Sequence, residues 1–184
     1  MNINQPQLSP FVPTQFTFTR SQDQISAPRR AFIEWAKQID PTHYFTFNFY
    51  DFYSMYRAQG KMDLFNYEMH QRSFRKHPSQ VPDSRAIIML AYPEYTKRGD
   101  IHYHAVVRVN PDIEANLLKI AAKRWKQIVP RGNLHIQRMI DTEADLERAT
   151  VYMTKESSFE EWYIPKDYRG MAFADKSYRT QPLN

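Results

Sequence analysis

Hydrophobic and polar residues repeat along the chain with two periods, and each period predicts one kind of secondary structure. The segment HYFTFNFY (43–50) alternates with a period of two, so Tyr44, Thr46 and Asn48 share one side of a predicted strand. The phenylalanines between them share the other side. NLHIQRMI (133–140) alternates in the same way. Both segments are predicted strands, the first of them half buried.

Two further predicted strands flank a polar connection. RAIIMLAY (85–92) is a continuous apolar run, which is typical of a central strand covered on both faces. DIHYHAVVRV (100–109) follows it after YPEYTKRG, a polar stretch containing Gly99 that suits a hairpin between the two strands. We therefore expect these segments to pair, with the second of them central in the sheet.

Apolar residues at helical spacing predict four amphipathic helices between and around the strands. They begin near Ala27 and end at Asp40-Pro41, run from about Tyr53 to His77, follow Pro111, and run roughly from Glu143 to Ser157. From Thr42 onward the order is strand, helix, strand, strand, helix, strand, helix. This order predicts an α+β fold of the ferredoxin-like split βαβ type. The expected sheet is antiparallel, with four to five strands backed by helices on one face and an extra C-terminal helix.

The same pattern divides the chain into three parts. Residues 1–25 read as a polar N-terminal arm, with a short strand conceivable at Phe16–Thr19; residues 26–160 form the predicted domain. Residues 161–184 form a tail, packed on the domain or flexible.

Composition excludes several classes of protein. The chain has 184 residues and no cysteine, so it has neither a disulfide framework nor a thiolate metal site. Its four glycines lie far apart, so no glycine-rich phosphate-binding loop is present. No signal peptide and no apolar run of about 18 residues occur, so we expect a cytoplasmic protein without a membrane partner. The net charge of +5 is compatible with a phosphate-rich partner.

A first candidate site lies in the second strand of the predicted hairpin. His102 and His104 are two residues apart on a strand, so both imidazoles project from the same face and can chelate a divalent metal. Glu94, across the Gly99 connection, is a candidate third ligand opposite His102. The alternative is a pair of partly exposed histidines without a ligand.

A second candidate site lies on the last predicted helix. Tyr152 and Lys155 are three residues apart, which places the phenol and the ammonium group on one side of the helix. Arg148 lies on nearly the same side. A tyrosine can act as a nucleophile when a nearby cation favours its phenolate. The alternative is a core tyrosine beside a solvated lysine.

The order and spacing of these motifs resemble the HUH endonuclease domains of rolling-circle replication initiator (Rep) proteins, of the single-tyrosine type. HYFTFNF is similar to the family's FTxT strand, IHYHAVV to its His-hydrophobic-His motif, and VYMTKE to its Tyr-x-x-Lys motif. The resemblance spans about residues 43 to 156. It implies that His102 and His104 bind the metal, that Tyr152 is the nucleophile and that Lys155 is the motif lysine. Glu94 matches the additional acidic ligand by approximate spacing only.

The resemblance also implies a function. Such a protein nicks and joins single-stranded DNA through a covalent 5′-phosphotyrosine, with Mn²⁺ or Mg²⁺, and thereby initiates rolling-circle replication of a plasmid, phage or virus. Its partner would be single-stranded or hairpin origin DNA, with a helicase of the replicon or host as a further candidate. Phosphate contacts and base stacking would bind the DNA. Candidates for these contacts are Lys97, Arg98, Arg131, Arg138, Tyr44 and Asn48.

Other interpretations of the sequence remain open. A single-tyrosine transposase or a plasmid relaxase shares the histidine pair and Tyr152, although Lys155 favours an initiator. A ferredoxin-like nucleic-acid-binding module would use the sheet without cleaving. A small metal-dependent hydrolase acting on another substrate is the remaining alternative.

Overall fold

Helices and strands alternate along the chain in the order that the two periods predict. The computed structural model describes residues 27–140 and 142–153, with side chains for residues 33–140 and 144–150. Within these residues the elements are α1 (Ala27–Gln38), β1 (His43–Asn48), α2 (Met55–Phe74), a short 3₁₀ helix (Pro78–Gln80), β2 (Ile88–Tyr95), β3 (Ile101–Arg108), α3 (Pro111–Ile128), β4 (Asn133–Arg138) and α4 (Thr142–Met153).

The strands form one four-stranded sheet in the order β2-β3-β1-β4. Every neighbouring pair is antiparallel. Strand β3 lies between β1 and β2, which is the arrangement of a split βαβ unit. The predicted α+β fold with an antiparallel sheet is confirmed, and the strand that carries the histidine pair is central as expected. The arm at 1–25 and the tail at 161–184 lie outside the described residues, and the domain boundaries stay predictions.

The position of β2 differs from the prediction. It is an edge strand, although its residues from Ile88 to Pro93 are all buried. Helices on both faces of the sheet bury these side chains, so an apolar run here reports two-sided cover rather than a central position. The strand also begins at Ile88 rather than at Arg85, because the backbone N–H groups of Arg85 and Ala86 both donate to the carbonyl of Pro82 in a turn.

Helices cover both faces of the sheet, whereas the sequence predicted helices on one face and a further helix. Helices α2 and α3 cover the face that carries Phe45, Phe47 and Tyr103. Helices α1 and α4 pack against the other face, where β2 and β3 present apolar side chains that would otherwise be exposed. The buried residues of this second cluster are Ala36, Ile39, Ile88, Leu90, Tyr92, Val106, Met139, Leu146 and Ala149.

The ends of α2 and α3 have clear causes in the sequence. The side chain of Ser54 accepts a hydrogen bond from the backbone N–H of Arg57 and starts α2. The helix stops at Arg75, which has a left-handed φ of 54°. Asn110 caps α3 in the same way, with Pro111 in the first helical position. None of the described helices is long and apolar enough to cross a membrane.

Candidate metal centre

His102 and His104 lie on the face of β3 that α1 and α4 partly cover. Alternation along β3 places Tyr103 and Ala105 on the opposite, α2/α3 face, where both are fully buried. Because the apolar residues on either side are fixed in that core, the two histidines are held on the other face. Their rings lie 4.8 Å apart between centroids and are nearly perpendicular.

Glu94 reaches both histidines from the neighbouring strand. The pairing of β2 with β3 places Glu94 directly opposite His102, inside β2 rather than in the connection that the sequence predicted. Its Oε2 lies 3.1 Å from Nε2 of His102 and 2.9 Å from Nε2 of His104. The three ligand atoms all lie within 4.8 Å of one another. The three side chains that the sequence grouped therefore meet at one point.

The surroundings of these groups favour the protonation states of metal ligands. The hydrogen bond with His104, aided by both imidazoles, lowers the pKa of Glu94 from 4.5 to about 2 and keeps it a carboxylate. Burial, with the charge of His104, lowers the pKa of His102, while Glu94 opposes that shift. An ionised carboxylate and a neutral imidazole are the forms that bind a metal.

A second layer of contacts orients His104 more firmly than His102. The hydroxyl of Thr46, opposite it on β1, lies 3.3 Å from Nδ1 of His104, so Nε2 faces Glu94. The ring of Tyr44 stacks on His104 with centroids 5.7 Å apart. By contrast, Nδ1 of His102 is buried and has no hydrogen-bond partner among the described residues.

Sequence reasoning missed a polar row at the open end of this face. Residues Glu94, His102, Asn48 and Asn133 lie opposite one another across the four strands. Asn48 Nδ2 donates to Asn133 Oδ1 over 2.7 Å. A Cβ at Gly132 would clash with the carbonyl of Asn48, so only glycine allows this approach of the two strands. The signal in the sequence was the alternation of β4, which places Asn133 and His135 on one side.

The comparisons with known proteins identify the family. The family model for replication-associated proteins of the ORF2 type matches residues 54–157, more than half of the chain. The chain belongs to this replication-associated family. Searches of curated proteins and of solved structures gave no significant match.

Family membership covers the metal centre and the last helix together. The matched range includes β2, β3 and α4, whereas β1 precedes it. A family that acts in replication works on nucleic acid, and a cluster of two imidazoles and a carboxylate fits a divalent ion such as Mn²⁺. Mg²⁺ takes the carboxylate and keeps several waters.

The predicted nucleophile is placed only in part. Tyr152 lies in α4, and the described side chains Leu146 and Ala149 of that helix pack on the face that carries His104. The side chain of Tyr152 and all of Lys155 lie outside the described residues. Their roles in this replication-associated protein stay predictions.

The remaining histidines and basic candidates have separate surroundings. His70 is buried, and its Nε2 accepts the N–H of Ile87 over 3.2 Å. His77 caps the 3₁₀ helix. His135 is exposed on the site face, two strands from His104. Arg138 lies 3.6 Å from Glu114, which is also close to His43 on the opposite face, so it is not part of the metal centre.

Proposed function

We propose that this protein initiates replication by cutting one strand of origin DNA and rejoining it, with Tyr152 as the nucleophile. His102, His104 and Glu94 hold the divalent ion, Mn²⁺ or Mg²⁺, and Lys155 assists Tyr152. The substrate is single-stranded DNA or the exposed strand of an origin hairpin. Helicase recruitment would follow from the same role.

The convergence of three ligand atoms beside the helix of Tyr152 carries this proposal. Oε2 of Glu94 lies within 3.1 Å of both Nε2 atoms, and α4 packs on the same face of the sheet. Two elements that are far apart in the sequence, β3 and α4, therefore border one surface. A non-catalytic nucleic-acid-binding module would have no need for such a ligand set.

The proposed reaction is a transesterification. The phenol oxygen of Tyr152 loses its proton to solvent and attacks the phosphorus, and the bond from phosphorus to the 3′-oxygen breaks. The 3′-oxygen leaves as a hydroxyl after taking up a proton, while the 5′-phosphate stays on the tyrosine. A divalent ion at the site would polarise the phosphate and offset the charge that develops on its oxygens. Lys155 would stabilise the phenolate or the phosphate.

The reverse reaction rejoins the strand without a nucleotide cofactor. Attack by a 3′-hydroxyl on the phosphotyrosine restores one phosphodiester and frees Tyr152. Because one ester replaces another, no nucleotide hydrolysis is required. This agrees with a sequence that has no glycine-rich phosphate-binding loop.

The direct test is capture of the covalent intermediate. The full chain is incubated with Mn²⁺ and a pool of single-stranded oligonucleotides, and protein–DNA adducts that resist SDS are counted. We expect adducts from the unmodified protein and none from Tyr152→Phe, which keeps the ring but lacks the nucleophilic oxygen. Tyr67→Phe, a partly exposed tyrosine on α2, is the matched control and should behave like the unmodified protein.

A second measurement isolates the metal centre. Titration calorimetry of Mn²⁺ should show binding that Glu94→Gln weakens by more than about 100-fold, because loss of a ligand exceeds the effect of losing an outer contact. Glu147→Gln, at an exposed position of α4, should leave the affinity unchanged. Adducts of equal yield from Tyr152→Phe would move the nucleophile elsewhere, to Tyr163 or Tyr168. DNA binding without metal and without adducts would instead favour the non-catalytic module.

A further inference from the structure

The end of the sheet next to the metal centre carries amides whose hydrogen-bonding groups are only partly used. Asn48 lies directly opposite His102, about 5 Å away across one strand spacing. One bond joins Asn48 to Asn133, with Nδ2 as donor and Oδ1 as acceptor. An acceptor on Asn48 and donors on both residues remain available. Both side chains are accessible, Asn133 fully exposed and Asn48 partly.

Tyr50 stands at the same end in a strained backbone conformation. Its φ is 50°, in the left-handed region that bulky residues rarely adopt. Its side chain is nevertheless 54% exposed, so burial does not hold it there. The side-chain N–H of Asn133 donates to its hydroxyl over 3.4 Å. The strained backbone therefore aims an accessible aromatic ring at the asparagine pair, and such strain is concentrated at functional sites.

A second exposed ring narrows the same end of the sheet. Phe52 follows Tyr50 in the loop between β1 and α2 and is 78% exposed. A Cβ at Gly99, in the β2–β3 hairpin, would lie 3.7 Å from its ring. The loop and the hairpin thus approach each other beside the row that contains Glu94 and His102.

We propose that Tyr50, Asn48 and Asn133 form a base-binding subsite for the nucleotide next to the cleaved phosphate. Tyr50 stacks on the base, and the two amides bond its edge. A pair that offers both a donor and an acceptor fits adenine, which presents an acceptor at N7 and a donor at N6. This inference rests on the proposed function, because it identifies part of the DNA that the metal centre would cut.

Two substitutions separate the ring of Tyr50 from its hydroxyl. Tyr50→Asn removes the ring while keeping a residue type that tolerates the left-handed region. Tyr50→Phe keeps the ring and loses only the contact with Asn133. Stacking predicts roughly ten-fold or greater loss of single-strand affinity for Tyr50→Asn and little loss for Tyr50→Phe. Tyr67→Asn, which removes a partly exposed ring far along α2, is the matched control.

Binding is measured with EDTA present, so that it does not depend on cleavage. Single strands that contain the fluorescent adenine analogue 2-aminopurine report stacking by quenching. We expect quenching with the unmodified protein, Tyr50→Phe and Tyr67→Asn, and its loss with Tyr50→Asn. Mn²⁺ affinity should be equal in all four proteins, which a general disruption of the site would change.

Base reading is measured on the adducts themselves. Sequencing of DNA captured from a random pool should show a preference for adenine beside the cut. Asn133→Ala should weaken this preference about ten-fold at that one position. Gln137→Ala, an amide on the same face of β4 at its covered end, should leave it unchanged.

The outcomes distinguish the two proposals. Stacking by Tyr50 without any adduct would support the subsite and overturn the cleavage chemistry. Adducts together with undiminished binding and quenching in Tyr50→Asn would overturn the subsite and leave the chemistry standing. No binding of single strands by the unmodified protein would overturn both.

Discussion

The two faces of the sheet are built from the same four strands but differ in what their side chains do. The α2/α3 face is closed by aromatic rings that pack on one another, among them Phe47 and Trp125 with centroids 4.9 Å apart. The α1/α4 face is apolar only at one end, around Leu90 and Val106. At its other end it carries the metal ligands and the asparagine pair. One face holds the fold, and the other holds the chemistry.

This difference shows how a small sheet keeps reactive groups accessible without losing stability. Strand alternation sends Tyr103 and Ala105 into the closed core and His102 and His104 to the open face. The core then fixes the strand, and the strand fixes the spacing of the ligands. Changes on the closed face should therefore affect stability, whereas changes on the open face should affect binding.

The largest effect should follow from breaking the closed face at Trp125. This residue is fully buried, contacts three phenylalanine rings and donates from Nε1 to the carbonyl of Asn48 over 3.2 Å. Trp125→Ala should lower the free energy of unfolding by about 3–5 kcal/mol, measured by urea denaturation. Trp35→Ala, in the smaller cluster where Trp35 is only partly buried, is the control and should lower it less. Equal losses would contradict the comparison of the faces.

An intermediate effect is expected at Thr46, on the open face. Thr46→Val preserves shape and β-branching but removes the hydroxyl beside Nδ1 of His104. Without that contact the ring is less firmly oriented, so Mn²⁺ affinity should fall roughly ten-fold or more. The free energy of unfolding should change by less than about 1 kcal/mol. A large loss of stability with unchanged Mn²⁺ affinity would assign Thr46 to the core instead.

The smallest effect concerns His43, a titratable group on the closed face. Burial lowers the pKa of His43 below 6.5, and Arg138 acts in the same direction, while Glu114 opposes them. The unfolded chain therefore binds this proton more readily, so stability should fall as pH decreases below 6.5. His43→Gln should flatten this decrease by at most about 1.4 kcal/mol per pH unit, the limit for one proton. Urea denaturation between pH 8 and pH 5 measures it, and identical slopes would contradict the expectation.

Much of the fold follows from local pattern. The alternation of β1 and β4 and the helical spacing around Leu117 and Trp125 placed every described element within a few residues. The edge position of β2 could not be predicted, because burial from both faces looks alike in an edge strand and a central one. The packing of α1 beside α4 depends on contacts between elements at opposite ends of the described chain, which no local pattern encodes.

The candidate site divides in a similar way. The spacing of His102 and His104 determined that they share a face, since successive side chains on a strand alternate. Glu94 was a candidate by approximate spacing only, and the β2–β3 register decided that its carboxylate lies between the two imidazoles. Tyr50 and Asn133 were missed, because an exposed tyrosine in a loop has no periodic signal.

The sequence by itself determined the fold class, the two strand faces and the residue types available for metal chemistry, because these depend on interactions between near neighbours in the chain. Only the tertiary structure decided which residues meet. The register across β2, β3, β1 and β4 sets Glu94, His102, Asn48 and Asn133 in one row, and the packing of α4 sets its helix on their face. Register and packing are properties of the closed core as a whole, since every strand must satisfy both faces at once.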